Sequence, residues 1–112
     1  MAFLKAWASG DMPGMVKQTQ ITWRDDGHPN MTPEQWLFRE FQYRPITVWK
    51  ITGVTMAGEA SADYVVTVMD ARRKAERNIT IRVICESAAY EPNIRGTWGV
   101  NPASAVKGWT IV

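Results

Sequence analysis

The only stretch of this chain where acid–base chemistry could assemble from neighbouring residues is Asp25-Asp26-Gly27-His28. A histidine oriented by a carboxylate can serve as a general base near neutral pH. The two aspartates are adjacent, however, so their side chains diverge, and no serine or cysteine nucleophile accompanies them. The competing reading is a solvated turn, because Asp-Gly and the following Pro29-Asn30 are strong turn formers. His28 is the only histidine and Cys85 the only cysteine in 112 residues. That rules out an internal disulfide and any multi-cysteine zinc site. Cys85 lies in an apolar run and reads as a buried structural thiol. No catalytic residue, metal ligand or cofactor is assigned, and the chain is expected not to be an enzyme.

Binding chemistry is better represented. Arg72, Arg73, Lys74 and Arg77 cluster in the charged connection 71–77 between two expected strands. Arginine forks suit phosphate or carboxylate groups, so this tip is a candidate contact for an acidic partner. Asp70 and Glu76 flank the cluster and partly offset it. The alternative is a hairpin tip whose charges keep it soluble and guard the sheet edge.

Aromatic residues form the third group, with six tryptophans spread from Trp7 to Trp109. Trp49, Tyr64 and Trp98 could line a sheet surface. Beside Arg82 and Arg95, such a surface could stack the bases of a single nucleic-acid strand, each worth roughly 1–3 kcal/mol. The alternative is that these rings fill the space between sheet and helix, which is favoured for Trp36 and Trp49. Trp98, between Gly96 and Gly99, stays open between the two. Trp7, Trp23 and Trp109 lie near chain ends or loops, where a small domain can least easily bury them. These three are candidate partner-contact residues, since interface hot spots favour tryptophan.

The elements that must position these residues follow from periodicity and caps. Residues 1–15 are expected to be an irregular N-terminal arm, with Phe3, Leu4 and Trp7 on one turn of helix before Gly10, Pro13 and Gly14. Val16 to Trp23 alternates as a strand. Thr32 is an N-cap, Pro33 fits the first helical position and Gln35 completes a capping box. Met31 can staple onto Trp36, and the main helix is placed at about 33–43, before Pro45. Ile46–Met56, Tyr64–Met69 and Asn78–Glu86 read as strands, the last with Ile79, Ile81, Val83 and Cys85 on one face. A final strand starts near Thr97, and 109–112 form a short apolar tail.

One helix followed by antiparallel strands gives an α+β class. The expected architecture is a curved sheet of four to five strands against the helix, in a single domain 1–112. This element order resembles cystatin-like and nuclear-transport-factor-like rolls, although no motif carries the resemblance and it implies nothing about function. A small β-barrel with one helix is the alternative.

At 46% hydrophobic, 21% charged and net +2, the composition is that of an ordinary globular domain. It is too weakly basic to bind nucleic acid on overall charge alone. The N-terminus does not read as a signal peptide, and no stretch approaches the roughly 20 apolar residues of a membrane span. A cytoplasmic protein, or one assembled from the cytoplasm into a larger particle, is expected. Three functions stay open: an interaction or assembly protein that binds a protein partner or itself (a virion, tail or secretion-apparatus subunit, or an inhibitor), a single-stranded nucleic-acid binder, and a small-molecule pocket protein or small enzyme.

Overall fold

The computed structural model describes residues 1–26, 28, 30–107 and 109. Five short helices pack on a five-stranded antiparallel sheet, an α+β architecture. The helices are α1 (Ala2–Ser9), α2 (Met12–Lys17), α3 (Ile21–Asp25), α4 (Pro33–Phe41) and α5 (Pro102–Val106). The strands are β1 (Ile46–Gly58), β2 (Ser61–Asp70), β3 (Ala75–Ala88), β4 (Glu91–Pro92) and β5 (Thr97–Asn101). They run in the order β1-β2-β3, and both β4 and β5 pair with β3, so the sheet is open rather than closed into a barrel.

The main helix forms where its cap places it. Thr32 accepts the Gln35 amide at 3.1 Å, and the Gln35 side chain reaches back to the Thr32 amide at 2.8 Å. This reciprocal capping box satisfies two amides that a helix start leaves without partners. Leu37 and Phe41 point into the core. The helix stops at Phe41, two residues short of the expected 43.

Residues 1–15 are not an irregular arm. Gly10 adopts the left-handed conformation, φ 71°, and closes α1, a C-cap position that favours glycine. Asp11 then caps α2 through the Gly14 amide at 3.0 Å, with Pro13 in its first turn. The glycine and proline that would break one long helix instead frame two short ones. Phe3, Leu4, Trp7 and Met15 are thereby buried.

The strand expected at Val16–Trp23 is also corrected. Val16 closes into α2, only Thr19 makes a β-bridge, in parallel with Val100, and Ile21 opens α3. The cause lies far along the chain. Glu86, buried on β3, accepts the Thr22 amide at 3.1 Å and the Gln20 side chain at 3.3 Å, and also bonds the Thr22 hydroxyl. A carboxylate at the start of α3 suits both its free amides and its dipole.

The sheet has one apolar face. Cross-strand register aligns Trp49 with Val68, Ile51 with Val66 and Val66 with Ile79. Further along, Val54, Tyr64 and Ile81 form one row, and Met56, Ala62, Val83 and Val100 the next. The alternation expected for β3 holds, with Ile79, Ile81, Val83 and Cys85 all buried. The opposite face carries Lys50, Thr55, Asp63, Thr67, Asn78, Thr80 and Arg82. Gln20 and Thr19 seal the β5 side so closely that a Cβ on Gly99 would lie 2.5 Å from the Gln20 Cα.

The loop expected at 24–30 begins later, since Arg24 and Asp25 belong to α3. Its Gly27 and Pro29 lie outside the described residues, as do residues 110–112 of the apolar tail and Gly108. No helix among the described residues is long and apolar enough to cross a membrane.

Candidate interaction surface

Two of the three tryptophans expected to meet a partner are core residues. Trp7 and Trp109 are each only 3% exposed, and their rings lie 5.7 Å apart. Trp7 also meets Phe41 edge-on at 4.9 Å and donates its indole N–H to the Arg44 carbonyl at 2.7 Å. Trp109 is held by the Arg44 guanidinium, which donates to its carbonyl at 3.0 Å. Proximity to a chain end did not prevent burial, because α1 and the segment after α5 meet on the same side of the sheet. Trp23 is half-buried, edge-on to Trp36 at 5.2 Å.

The basic cluster divides in the same way. Arg77 belongs to β3, not the tip, and its guanidinium lies over the Trp109 ring at 4.6 Å. It also donates to Asp70 at 2.8 Å. Asp70 is a buried carboxylate that organises the whole turn, accepting the Arg72 and Arg73 amides at 2.9 and 3.1 Å. Burial pushes its pKa up, but the Arg77 hydrogen bond and the two amides outweigh this and hold it below the ordinary value. Arg72 lies over the Tyr43 ring at 5.7 Å, while Lys74 is exposed with a φ of 54°. Arg77 is therefore a structural residue, and Arg72, Arg73 and Lys74 form the exposed tip.

The nucleic-acid constellation does not come together as a set. Trp98 faces the apolar side, opposite Cys85, whereas Arg82 pairs with Asn101 on the other side. Arg82 is committed to Asp63, with one bond at 3.0 Å. That hydrogen bond lowers the Asp63 pKa. Arg95 sits in the loop before β5, where its amide donates to the Asn93 side chain at 2.9 Å.

His28 is likewise not a base beside a carboxylate. Its Nε2 lies 2.6 Å from the Trp23 carbonyl, and its ring packs 4.4 Å from the Trp23 ring. Asp25 instead pairs with Arg24 at 3.7 Å. Among the described residues no group of three or more His, Cys, Asp or Glu is placed to hold a metal.

What emerges instead is the far end of the apolar sheet face. The helices cover the rows nearest α4, but Val54 and Met56 are 54% and 59% exposed, and Trp98 is 46% exposed. Beside Trp98 lies an open notch of about 140 Å³ lined by Met1, Phe3, Gln18, Tyr64, Val83, Trp98, Gly99 and Val100. That is close to the roughly 150 Å³ apolar cavity known to hold a benzene molecule, so it has room for one apolar side chain. A larger groove, of about 740 Å³, lies beside α5 on the polar side, between Asp63, Asn78, Arg82 and Ser104. Its charged pair is already satisfied internally, and its wall is polar and open.

The notch could not be read from sequence. Val54 and Met56 stand on β1 and Trp98 on β5, and only the register brings them to one face. The half-exposed Trp98 beside two glycines was the one local signal.

The chain matches no protein-family model, no curated protein and no solved structure.

Proposed function

We propose that this chain is a non-enzymatic interaction or assembly protein, and that it makes contact through the uncovered end of its apolar sheet face. The observation that carries this reading is the half-exposed Trp98 standing with Val54 and Met56 on the same face as the core. Monomeric proteins rarely expose large apolar patches of a core face unless something covers them. Here Val54 and Met56 open on β1 and Trp98 on β5, with buried Ala62 and Val83 between. Tryptophan at the rim of a pocket is a frequent interface anchor, because it buries much area with little entropy loss. The notch supplies the complementary socket for one apolar side chain of the partner. The exposed β1 edge borders this surface and can add main-chain hydrogen bonds to it.

The test is a photo-crosslinking amino acid placed at Trp98, compared with one at Thr80 on the polar face, together with the mass of the protein in solution. Discrete crosslinked species from position 98, and not from 80, are expected. A strict monomer that yields no crosslink from position 98 in extract of its source would overturn the reading.

A further inference from the structure

We infer that a second copy of the same chain joins this one antiparallel through the two β1 edges. The inference goes beyond the proposed function: this pairing covers Val54 and Met56, whereas Trp98, on β5 three strands away, stays outside it.

The β1 edge is open in a way that the other side of the sheet is not. Strand β1 ends the strand order with no partner on its outer edge among the described residues, whereas β5 is flanked by the Thr19 bridge. At 13 residues it is more than twice the common strand length. Proteins usually blunt such an edge with short length, proline, charges (lysine above all) or β-bulges. Ile46 to Gly58 contains no proline, and Lys50 is its one charge. Its register shifts at Ile46/Trp49, Ile51/Gly53 and Met56/Gly58 leave 49–56 as the stretch able to pair.

The side-chain pattern of β1 is also self-complementary. A register shift between Ile51 and Gly53 reverses which positions face the core side. Trp49 and Ile51 face it before the shift, and Val54 and Met56 face it afterwards, opposite Tyr64 and Ala62. These four positions are therefore symmetric about the bond between Thr52 and Gly53. In a two-fold antiparallel pair, the numbers of opposed residues have a constant sum, and opposed residues share a face. Setting Thr52 against Gly53 of the second copy places Ile51 against Val54 and Trp49 against Met56, all on the apolar side. A slip of one residue sets Val54 against Lys50 instead, so the register is specified.

Charge does not oppose this alignment. Lys50 falls opposite Thr55 of the second copy, whose neighbour across β1–β2 is Asp63 on the same face. Two strand spacings, roughly 9.6 Å, separate the lysine strand from that carboxylate, which is about the screening length at moderate salt. Arg82, which holds Asp63, stands one strand farther away. The two Lys50 residues are five positions apart along the pair, roughly 17 Å, so they hardly repel. The result is one continuous sheet across both copies, with the exposed Val54 and Met56 of each meeting the Ile51 and Trp49 of the other.

The experiment uses sedimentation across a concentration series, with single-cysteine variants made on a Cys85→Ser background. Lys50→Cys mixed with Thr55→Cys should form an intermolecular disulfide under mild oxidation, because opposed residues in a ladder lie within disulfide reach. Either variant alone should stay uncrosslinked. Val54→Lys, an exposed position, should leave the circular dichroism spectrum unchanged while weakening the dimer at least tenfold. A protein that is monomeric throughout the series overturns the inference. If position 98 then still crosslinks to another protein, the broader function stands. A dimer in which Lys50→Cys links as readily alone as in the mixture overturns this register.

Discussion

The rings of Trp7 and Trp109 meet 5.7 Å apart, and the guanidinium of Arg77 lies over the Trp109 face at 4.6 Å. Through Asp70, which Arg77 also grips, this cluster ties α1, the β2–β3 turn and the segment after α5 into one unit. The tryptophans nearest the chain ends thus fasten the fold together.

Replacing Trp7 with alanine should therefore cost about 3–5 kcal/mol of stability, as is usual for a buried aromatic. Trp109→Ala should fall in the same range. Because the two rings share contacts, the double variant should lose less than the sum of the two single losses. Urea unfolding followed by circular dichroism measures all three, and strict additivity would mean that the rings act independently.

Asp70 gives the protein an acid-sensitive joint. Its pKa is held below the unfolded value, so the folded state binds fewer protons there than the unfolded chain does. The stability it contributes is fully present above the ordinary aspartate pKa, near 4. That stability is lost as pH falls through the lower folded value. Asp70→Asn removes the charge that Arg77 faces and should flatten the decline in stability below about pH 4. At pH 7 the same variant should cost about 2 kcal/mol. Unfolding curves for both proteins between neutral and acid pH decide the matter.

Glu86 anchors α3 from another strand. Glu86→Ala leaves the Thr22 amide and the Gln20 side chain without that acceptor. The expected cost is about 1–3 kcal/mol, the range for stranding buried polar groups. Hydrogen exchange should accelerate at residues 21–25 well before it does in β3. Equal acceleration in both would show that α3 is not a separately anchored element.

Where the signal was local, the sequence was legible. Thr32, Pro33 and Gln35 announce α4 because a capping box is complete within four residues. The alternation of Ile79 to Cys85 places β3 and its buried face for the same reason. Helix α5 also carried a local signal that went unread: Asn101 caps it through the Ala103 amide at 3.1 Å, with Pro102 next. By contrast, α3 depends on a carboxylate more than sixty residues away, and period-two alternation in Thr19, Ile21 and Trp23 pointed to a strand. The interaction surface was less legible still. Its exposure depends on where the helical layer stops, and no single segment encodes that.

The closure of the core by Trp109 has a consequence during synthesis. Arg44 and the Trp109 carbonyl it grips are 65 residues apart. At roughly 5–20 residues per second, a ribosome needs about 3–13 s to cover that interval. Throughout it, Trp7, Phe3 and Phe41 have been made while the ring that completes their cluster has not. Truncated or stalled chains should consequently carry an open aromatic nest, a ready target for chaperones and proteases that the finished molecule no longer presents.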